Sequence, residues 1–263
     1  MIDWNPGQYE KFRDERSRPF FDLMALVEPR PGMRVVDLGC GTGELTRVLH
    51  DTLAARETLG LDASEAMLAR AADARTTGLD FVKADIREFV TDAPPGGEAP
   101  YDLVFANASL QWVDGAEEIL GGLAKRLAPG GQLAFQVPAN HGHPSHVIAA
   151  EVARTEPFRS ALGGYVRAHA VLSTSGYAEA IHGLGFEAQR VRLEVYGHVL
   201  AGAEDVVEWT RGTLLTAYQS RMDGATFDAF VDTYRRRVVE TLGPARPYFY
   251  PFERILVWAR RAT

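Results

Sequence analysis

The chain of 263 residues has one cysteine, Cys40. A single thiol cannot build an internal disulfide framework or a multi-cysteine metal site. Long apolar runs are missing too, and none reaches the ~18 residues that suggest a membrane span. The opening Met1-Ile2-Asp3-Trp4-Asn5-Pro6 lacks the basic and apolar regions of a signal peptide, so a cytoplasmic location is expected. Positive charge is scarce. Lys and Arg number 28 against 35 Asp and Glu, a net charge of −7, which disfavours a broad phosphate-binding surface. The basic runs Arg235-Arg236-Arg237 and Arg260-Arg261 are not interleaved with aromatics for base stacking. Neither nucleic acid nor membrane is expected as a partner. No G-x-x-x-x-G-K-[ST] run is offered to a nucleoside triphosphate. What is present is ample apolar material for a core, 46% of residues, in a length suited to one large α/β domain with an insertion or to two small domains.

The most telling run is Val35-Val36-Asp37-Leu38-Gly39-Cys40-Gly41-Thr42-Gly43-Glu44. An apolar strand ends in an acid and a glycine turn, and a helix pattern follows from Glu44 to Leu53. Strand, glycine turn and helix make a nucleotide-type pocket at the C-terminal end of a parallel strand. Its spacing is G-x-G-x-G, with Glu44 where a dinucleotide fingerprint needs its third glycine. Three further strands are expected. Thr58–Leu61 ends in Asp62, where such folds hold a ribose, because a carboxylate accepts from both vicinal hydroxyls. Ser64 caps the helix after it. Leu79–Lys83 leads into Ala84-Asp85-Ile86, and Tyr101–Ala106 leads into Asn107-Ala108-Ser109-Leu110-Gln111-Trp112. Leu127-Ala128-Pro129-Gly130-Gly131 reads as a turn before a fifth strand, Gln132–Val137. This alternation argues for a parallel sheet.

The flanks read differently. A helix is expected from about Gly7 to Val27, broken near Pro19, and a proline- and glycine-rich surface loop over Thr91–Pro100. Asn140 to Phe158 opens with a loop carrying His141, His143 and His146. With only Glu151 near them in sequence, these read as structural or substrate-facing histidines ahead of zinc ligands. A helix over Ser175–Leu184 and a strand over Phe186–Val199 follow. Ala203–Leu242 is largely helical, with Trp209, Leu214, Leu215, Tyr218, Phe227, Phe230 and Tyr234 at helix-like intervals as core. Arg254–Ala259 is a final strand.

The D-x-G-x-G-x-G run resembles the first motif of Rossmann-like, class I methyltransferases that use S-adenosylmethionine (SAM). Asp3-Trp4-Asn5-Pro6, Tyr9, Phe12 and Glu15-Arg16-Ser17-Arg18-Pro19 resemble the opening of the trans-aconitate 2-methyltransferases. So do Ala84–Arg87, Phe105–Trp112 and Val257–Arg261. The resemblance is dense before residue 140 and sparse between 140 and 245. It implies an α/β fold with a mostly parallel seven-stranded sheet, an antiparallel last strand and an inserted helical lid. The whole chain, 1–263, would then be one domain: a core of about 30–140, helical insertions at about 140–180 and 200–245, and an N-terminal helical cover over 1–28. It also implies SAM as cofactor. Asp37, Gly39, Gly41 and Gly43 would meet its methionine half, Asp62 its ribose, and Asp85 and Ile86 its adenine, with Cys40, Ala63 and Met67 also at the cofactor. Asn107, Ser109 and Gln111 would lie near the sulfonium, and Arg18, with Arg16 as rival, would pair with its carboxylate.

The implied reaction moves the SAM methyl group to a carboxylate of trans-aconitate, giving the monomethyl ester and S-adenosylhomocysteine. A carboxylate is already ionised at neutral pH, so no catalytic base and no metal are expected. In-line alignment with water excluded would suffice. Holding the other carboxylates calls for bidentate donors. The candidates are Arg16, His169, Arg211, Arg246, Tyr248 and Tyr250, each weighed against a surface charge or a packed aromatic, with Trp112 on the substrate side closing the site or packing as core. The alternative is an O-methyltransferase for another small or carrier-bound acid. A nucleic-acid amino-methyltransferase is disfavoured, because Asn107-Ala108-Ser109-Leu110 stands where N-P-P-[YFW] would be. The oligomeric state is left open, with a monomer as the simplest expectation.

Overall fold

The computed structural model describes residues 13–91, 97, 99–168 and 170–263, with side chains from residue 17 onward. The motif residues Trp4, Tyr9 and Phe12, the Arg16 side chain and His169 therefore lie outside the described residues, as does most of 92–98.

Seven strands form one sheet: β1 Arg34–Leu38, β2 Glu57–Asp62, β3 Leu79–Lys83, β4 Tyr101–Asn107, β5 Leu127–Pro138, β6 Ala188–Leu200 and β7 Tyr248–Arg260. Their order is β3-β2-β1-β4-β5-β7-β6. β1 pairs parallel with β2 and β4, and the pairs β2–β3 and β4–β5 are also parallel. β7 runs antiparallel to β5, with Gln132 opposite Arg260 and Pro138 opposite Arg254. The expected fold class is thus present. Every residue of β1 is buried, as a parallel strand covered on both faces requires. Strand order reverses between β1 and β4, the switch point outside which open α/β sheets bind ligands.

The chain divides into two compact units. The sheet unit comprises Arg16–Pro138, Ala170–Glu194 and Arg254–Thr263. It holds α1 Arg13–Met24 from Arg16 onward, α2 Glu44–Leu53, α3 Glu65–Ala71, α4 Ile86–Phe89, α5 Ala116–Lys125 and α8 Thr174–Gly183. Contrary to the expected break, α1 continues through Pro19. An internal proline costs about 3 kcal/mol. Full burial of Phe20 and Leu23, with Phe20 edge-on to Phe105 at 5.4 Å, offsets that cost.

The helical unit comprises the described part of Ala139–His169 together with Val195–Glu253. It holds α6 Pro144–Ala153, α7 Phe158–Ala161, α9 Ala203–Arg211, α10 Thr216–Gln219 and α11 Gly224–Leu242. All seven apolar residues expected as core over 209–234 are buried. Phe230 stacks on Tyr218 at 5.1 Å and meets Phe158 edge-on at 5.3 Å. Thr210 Oγ1 and the Tyr234 hydroxyl share a hydrogen bond of 2.9 Å inside this core.

Besides the break at Pro19, three local expectations fail, each for a physical reason. Leu127–Gly131 is not a turn but the start of β5, with a register shift opposite Tyr101 and Leu103. A Cβ on Gly131 would sit 2.8 Å from the Ala128 carbonyl, so glycine permits the bulge. The last strand begins at Tyr248 rather than Arg254, and Pro251 lies within it. Proline argues against a strand in sequence, yet extended backbone accepts it where no ladder N–H is needed. Finally, the histidine segment is a short turn, Asn140–Gly142, followed at once by α6. His143 is the cap of that helix, its Nδ1 accepting from Ser145 N at 3.2 Å.

Candidate functional site

The glycine turn is pinned to the tip of β2. Gly39 N and Cys40 N donate to the Leu61 carbonyl at 2.7 and 2.9 Å. Gly41 N donates to Asp62 Oδ2 at 2.9 Å, and Ser64 N to Asp62 Oδ1 at 2.8 Å. Asp62 thus shapes the turn and the start of α3 together. A carboxylate has about four lone-pair positions, so two stay available to a diol. Gly39 has φ of 78°, and a Cβ there would fall 2.4 Å from Ser109 Cβ. A Cβ built on Gly41, at φ of 57°, would meet nothing within 4 Å, so the space on that side of the turn is open.

Asp37 sits beneath this turn and is almost fully buried. Thr46 Oγ1 donates to its Oδ2 at 2.6 Å, while Oδ1 is buried with no hydrogen-bond partner among the described residues. Burial pushes its pKa up to about 7, opposed by the Thr46 hydroxyl and assisted by the charge of Asp62. Burial likewise drives the Cys40 thiol far up, with Asp37 and Asp62 adding to the effect. Cys40 is a small packing residue against Phe81, Leu79 and Ala71, not a thiolate.

The remaining tips are tied in similar fashion. Ser109 Oγ donates to the Leu38 carbonyl at 2.5 Å, joining β4 to β1. Gln136 Nε2 donates to Asn107 Oδ1 at 2.7 Å, and Arg254 Nη1 to Gln136 Oε1 at 3.1 Å, joining β4, β5 and β7. Gln111 Nε2 donates to the Ala108 carbonyl at 2.6 Å, while its buried Oε1 has no partner among the described residues. Asp85 caps α4 in a box with Glu88. Burial alone would raise its pKa, but the Arg87 side chain and backbone N–H bring it below its ordinary value. Met67 is buried, Ile86 and Trp112 are half-buried and Ala63 is exposed. Arg18 is exposed on α1 and faces Asp22 at 3.8 Å.

The substrate candidates in the helical unit differ among themselves. Arg246 Nη2 donates to Glu204 Oε1 at 2.8 Å. Both line a recess of about 320 Å³ whose other walls include Ala203, Val239 and Pro244. Arg211 ends α9, half-buried. The Tyr248 hydroxyl and His143 Nε2 are 3.3 Å apart, and burial lowers the His143 pKa to about 4. Tyr250 is fully buried, accepting from Asn140 Nδ2 at 3.1 Å with its ring against Trp209 and Phe252. It packs as core in this structure.

Sequence reasoning missed Thr46 and Gln136. Gln136 had a signal, being a polar residue inside the apolar run Leu133–Val137. Thr46 had none, since it resembles any first-turn threonine.

A family model described as Methyltransferase domain matches residues 36–133. A trans-aconitate 2-methyltransferase of Deinococcus radiodurans is 42% identical to this chain, over 99% of each. The chain belongs to the trans-aconitate 2-methyltransferase family. A second member, from Paracidovorax citrulli, is 38% identical over 100% of both chains. Among solved structures, an S-adenosylmethionine-dependent methyltransferase from Mesorhizobium loti is similar with a TM-score of 0.50 and 25% identity, covering 94% of this chain and 98% of that one. The matched span 36–133 contains every cofactor candidate except Arg18, and of the substrate candidates only Trp112.

Proposed function

We propose that this chain transfers the methyl group of SAM to a carboxylate of trans-aconitate, releasing the monomethyl ester and S-adenosylhomocysteine. The observation that carries the reading is full-length relatedness at 42% identity, extending through the helical unit as well as the glycine turn. The residues present suit the cofactor. Gly41 leaves open space at the turn, and two buried acceptors, Asp37 Oδ1 and Gln111 Oε1, suit a ligand that carries positive charge. In this reading Asp37, Gly39, Cys40, Gly41 and Gly43 hold its methionine half, with Arg18 or Arg16 for the carboxylate. Asp62 holds the ribose, Asp85 and Ile86 the adenine, and Asn107, Ser109 and Gln111 lie near the sulfonium end, with Ala63 and Met67 also at the cofactor. Bound SAM supplies a methyl group on a positive sulfur with a good leaving group.

The protein's own work is alignment and exclusion of water. The acceptor carboxylate is ionised at neutral pH and needs no base. That fits a site whose one thiol is held neutral by burial. Trp112 closes the site, while Arg211, Arg246, Tyr248, His169 and Arg16 hold the non-reacting carboxylates, Arg246 exchanging Glu204 for substrate. The enzyme acts as a cytoplasmic monomer on a free small acid; among the described residues no helix is long and apolar enough to cross a membrane.

The test is a methyl-transfer assay with labelled SAM across trans-aconitate, cis-aconitate, isocitrate and malonyl carrier protein, with products identified by mass spectrometry. The highest kcat/KM is expected for trans-aconitate. Transfer to another acceptor with none to trans-aconitate overturns the reading.

A further inference from the structure

Gln136 is fully buried on β5, directly opposite Asn107 in the parallel ladder. It grips the tip of β4 twice. Its carbonyl accepts from Ala108 N at 3.0 Å, and its side-chain Nε2 donates to Asn107 Oδ1 at 2.7 Å. Its Oε1 accepts from Nη1 of Arg254, itself buried, at 3.1 Å. Ala108 is held at φ of 53°, a left-handed angle uncommon outside glycine. From the other side Gln111 Nε2 holds the Ala108 carbonyl at 2.6 Å. Such strain persists only where surrounding contacts over-determine it, and it gathers at functional sites.

Arg254, Gln136 and Asn107 form a relay of fixed polarity. A guanidinium has donors only. Gln136 therefore turns its oxygen to Arg254 and its NH2 to Asn107. Asn107 must then turn its oxygen to Gln136, and its own NH2 faces away. Asn107 ends β4, half-buried, and its Nδ2 makes no hydrogen bond among the described residues. Gln111 has the opposite polarity. Its NH2 is engaged by the Ala108 carbonyl, so it presents its buried Oε1. The tip of β4 thus offers a donor suited to negative charge and an acceptor suited to positive charge.

We propose that Gln136 and Arg254 are positioning residues that hold Asn107 as a donor to the carboxylate being methylated. This rests on the carboxyl-methylation reading above. Asn107 Nδ2 donates to one carboxylate oxygen and leaves the other oxygen to attack. Methylation removes the charge of that carboxylate, so the hydrogen bond is strongest before transfer, and its loss falls chiefly on KM.

The test compares the full-length wild type with Gln136→Glu and Gln136→Met by steady-state kinetics with trans-aconitate, calorimetric SAM affinity and thermal denaturation. Gln136→Glu keeps the volume and gives Arg254 a charge partner. It also offers Asn107 only acceptors, so the Asn107 amide turns and its oxygen faces outward. KM for trans-aconitate should rise about a hundredfold, with SAM affinity changed less than about twofold. Gln136→Met imposes no polarity, lets Asn107 take either orientation and should raise KM by about tenfold or less. A purely structural role gives the reverse order, because methionine removes a buried acceptor from Arg254 and destabilises more than glutamate does. Equal KM values in the two variants, the reverse order, or SAM affinity falling in step with KM overturns the proposal. Wild-type KM in a stable Gln136→Glu overturns it by itself. Neutron diffraction of the deuterated enzyme checks the relay without activity. The Asn107 amide deuterons should face away from residue 136 in the wild type and toward it in Gln136→Glu, and Asn107 deuterons facing Gln136 in the wild type overturn the relay. If the wild type does not methylate trans-aconitate, the functional reading fails. The neutron result then still decides the relay, and the order of KM values is read with the acid that the acceptor screen identifies.

Discussion

Beside the glycine turn, Asp62 and Ser109 serve the backbone: Asp62 accepts from Gly41 N and Ser64 N, and Ser109 donates to the Leu38 carbonyl. In the helical unit several polar side chains serve one another, as in Thr210 with Tyr234, Tyr248 with His143 and Arg246 with Glu204. The first arrangement ties polar chemistry to chain geometry, so it leaves a readable spacing in the chain. The second ties it to packing, so any pair of complementary shape will serve. A reader of sequence sees the first and not the second.

The comparison can be broken most forcefully in the aromatic core. Phe230→Ala removes a ring packed on both Tyr218 and Phe158 and should cost about 3–5 kcal/mol of stability by urea denaturation. SAM affinity of the folded protein should change little. A large loss of affinity at unchanged stability would contradict the division of labour.

Gly39→Ala is next. It combines a positive φ with a Cβ placed 2.4 Å from Ser109 Cβ. Strain and overpacking together should cost about 3 kcal/mol and abolish measurable SAM binding. Near-normal binding would show that the turn tolerates a side chain after all.

Asp62→Ala should weaken SAM binding by about 1.5–3 kcal/mol in calorimetric titration, through lost acceptors and a loosened turn. Asp62→Asn keeps one acceptor oxygen and should lie between the two. Unchanged affinity in Asp62→Ala removes the ribose assignment.

The smallest effects are in pH dependence, where the units oppose each other. The pKa of Asp37 is raised on folding from 3.8 to about 7, so the folded state binds the extra proton. Its contribution to stability is complete below 3.8 and is lost as pH rises through about 7. The pKa of His143 falls from 6.5 to about 4 on folding, so its contribution is present above 6.5 and is lost as pH falls toward 4. The two partly cancel in the wild type. Denaturation midpoints across this range should gain a rising trend with pH in Asp37→Asn and a falling trend in His143→Gln. Identical profiles in all three proteins would refute both shifts.

Much of the sheet unit was legible because its constraints are local. β3 and α2 lie at the expected residues, and Ser64 caps α3 as expected. The misses lie where local signals compete with packing. Pro19 reads as a break until Phe20 and Leu23 are buried, and Leu127–Gly131 reads as a turn until Tyr101 stands opposite it. His143 reads as a structural or substrate-facing histidine in a loop, and Ser145 N makes it the cap of a helix that follows at once.

By itself the sequence determined the strand, glycine turn and helix, the acid at the next strand tip and hence the family. Backbone angles open only to glycine, and hydrophobic periods of two and 3.6, act over a few residues and need no partner. Tertiary structure alone decided which polar atoms are occupied. It set Gln136 on Asn107, buried Tyr250 against Trp209, and placed Arg167 at the carbonyls of Thr213 and Leu214. Desolvation and hydrogen-bond partners come from residues tens of positions away, and no local pattern encodes which of them arrives.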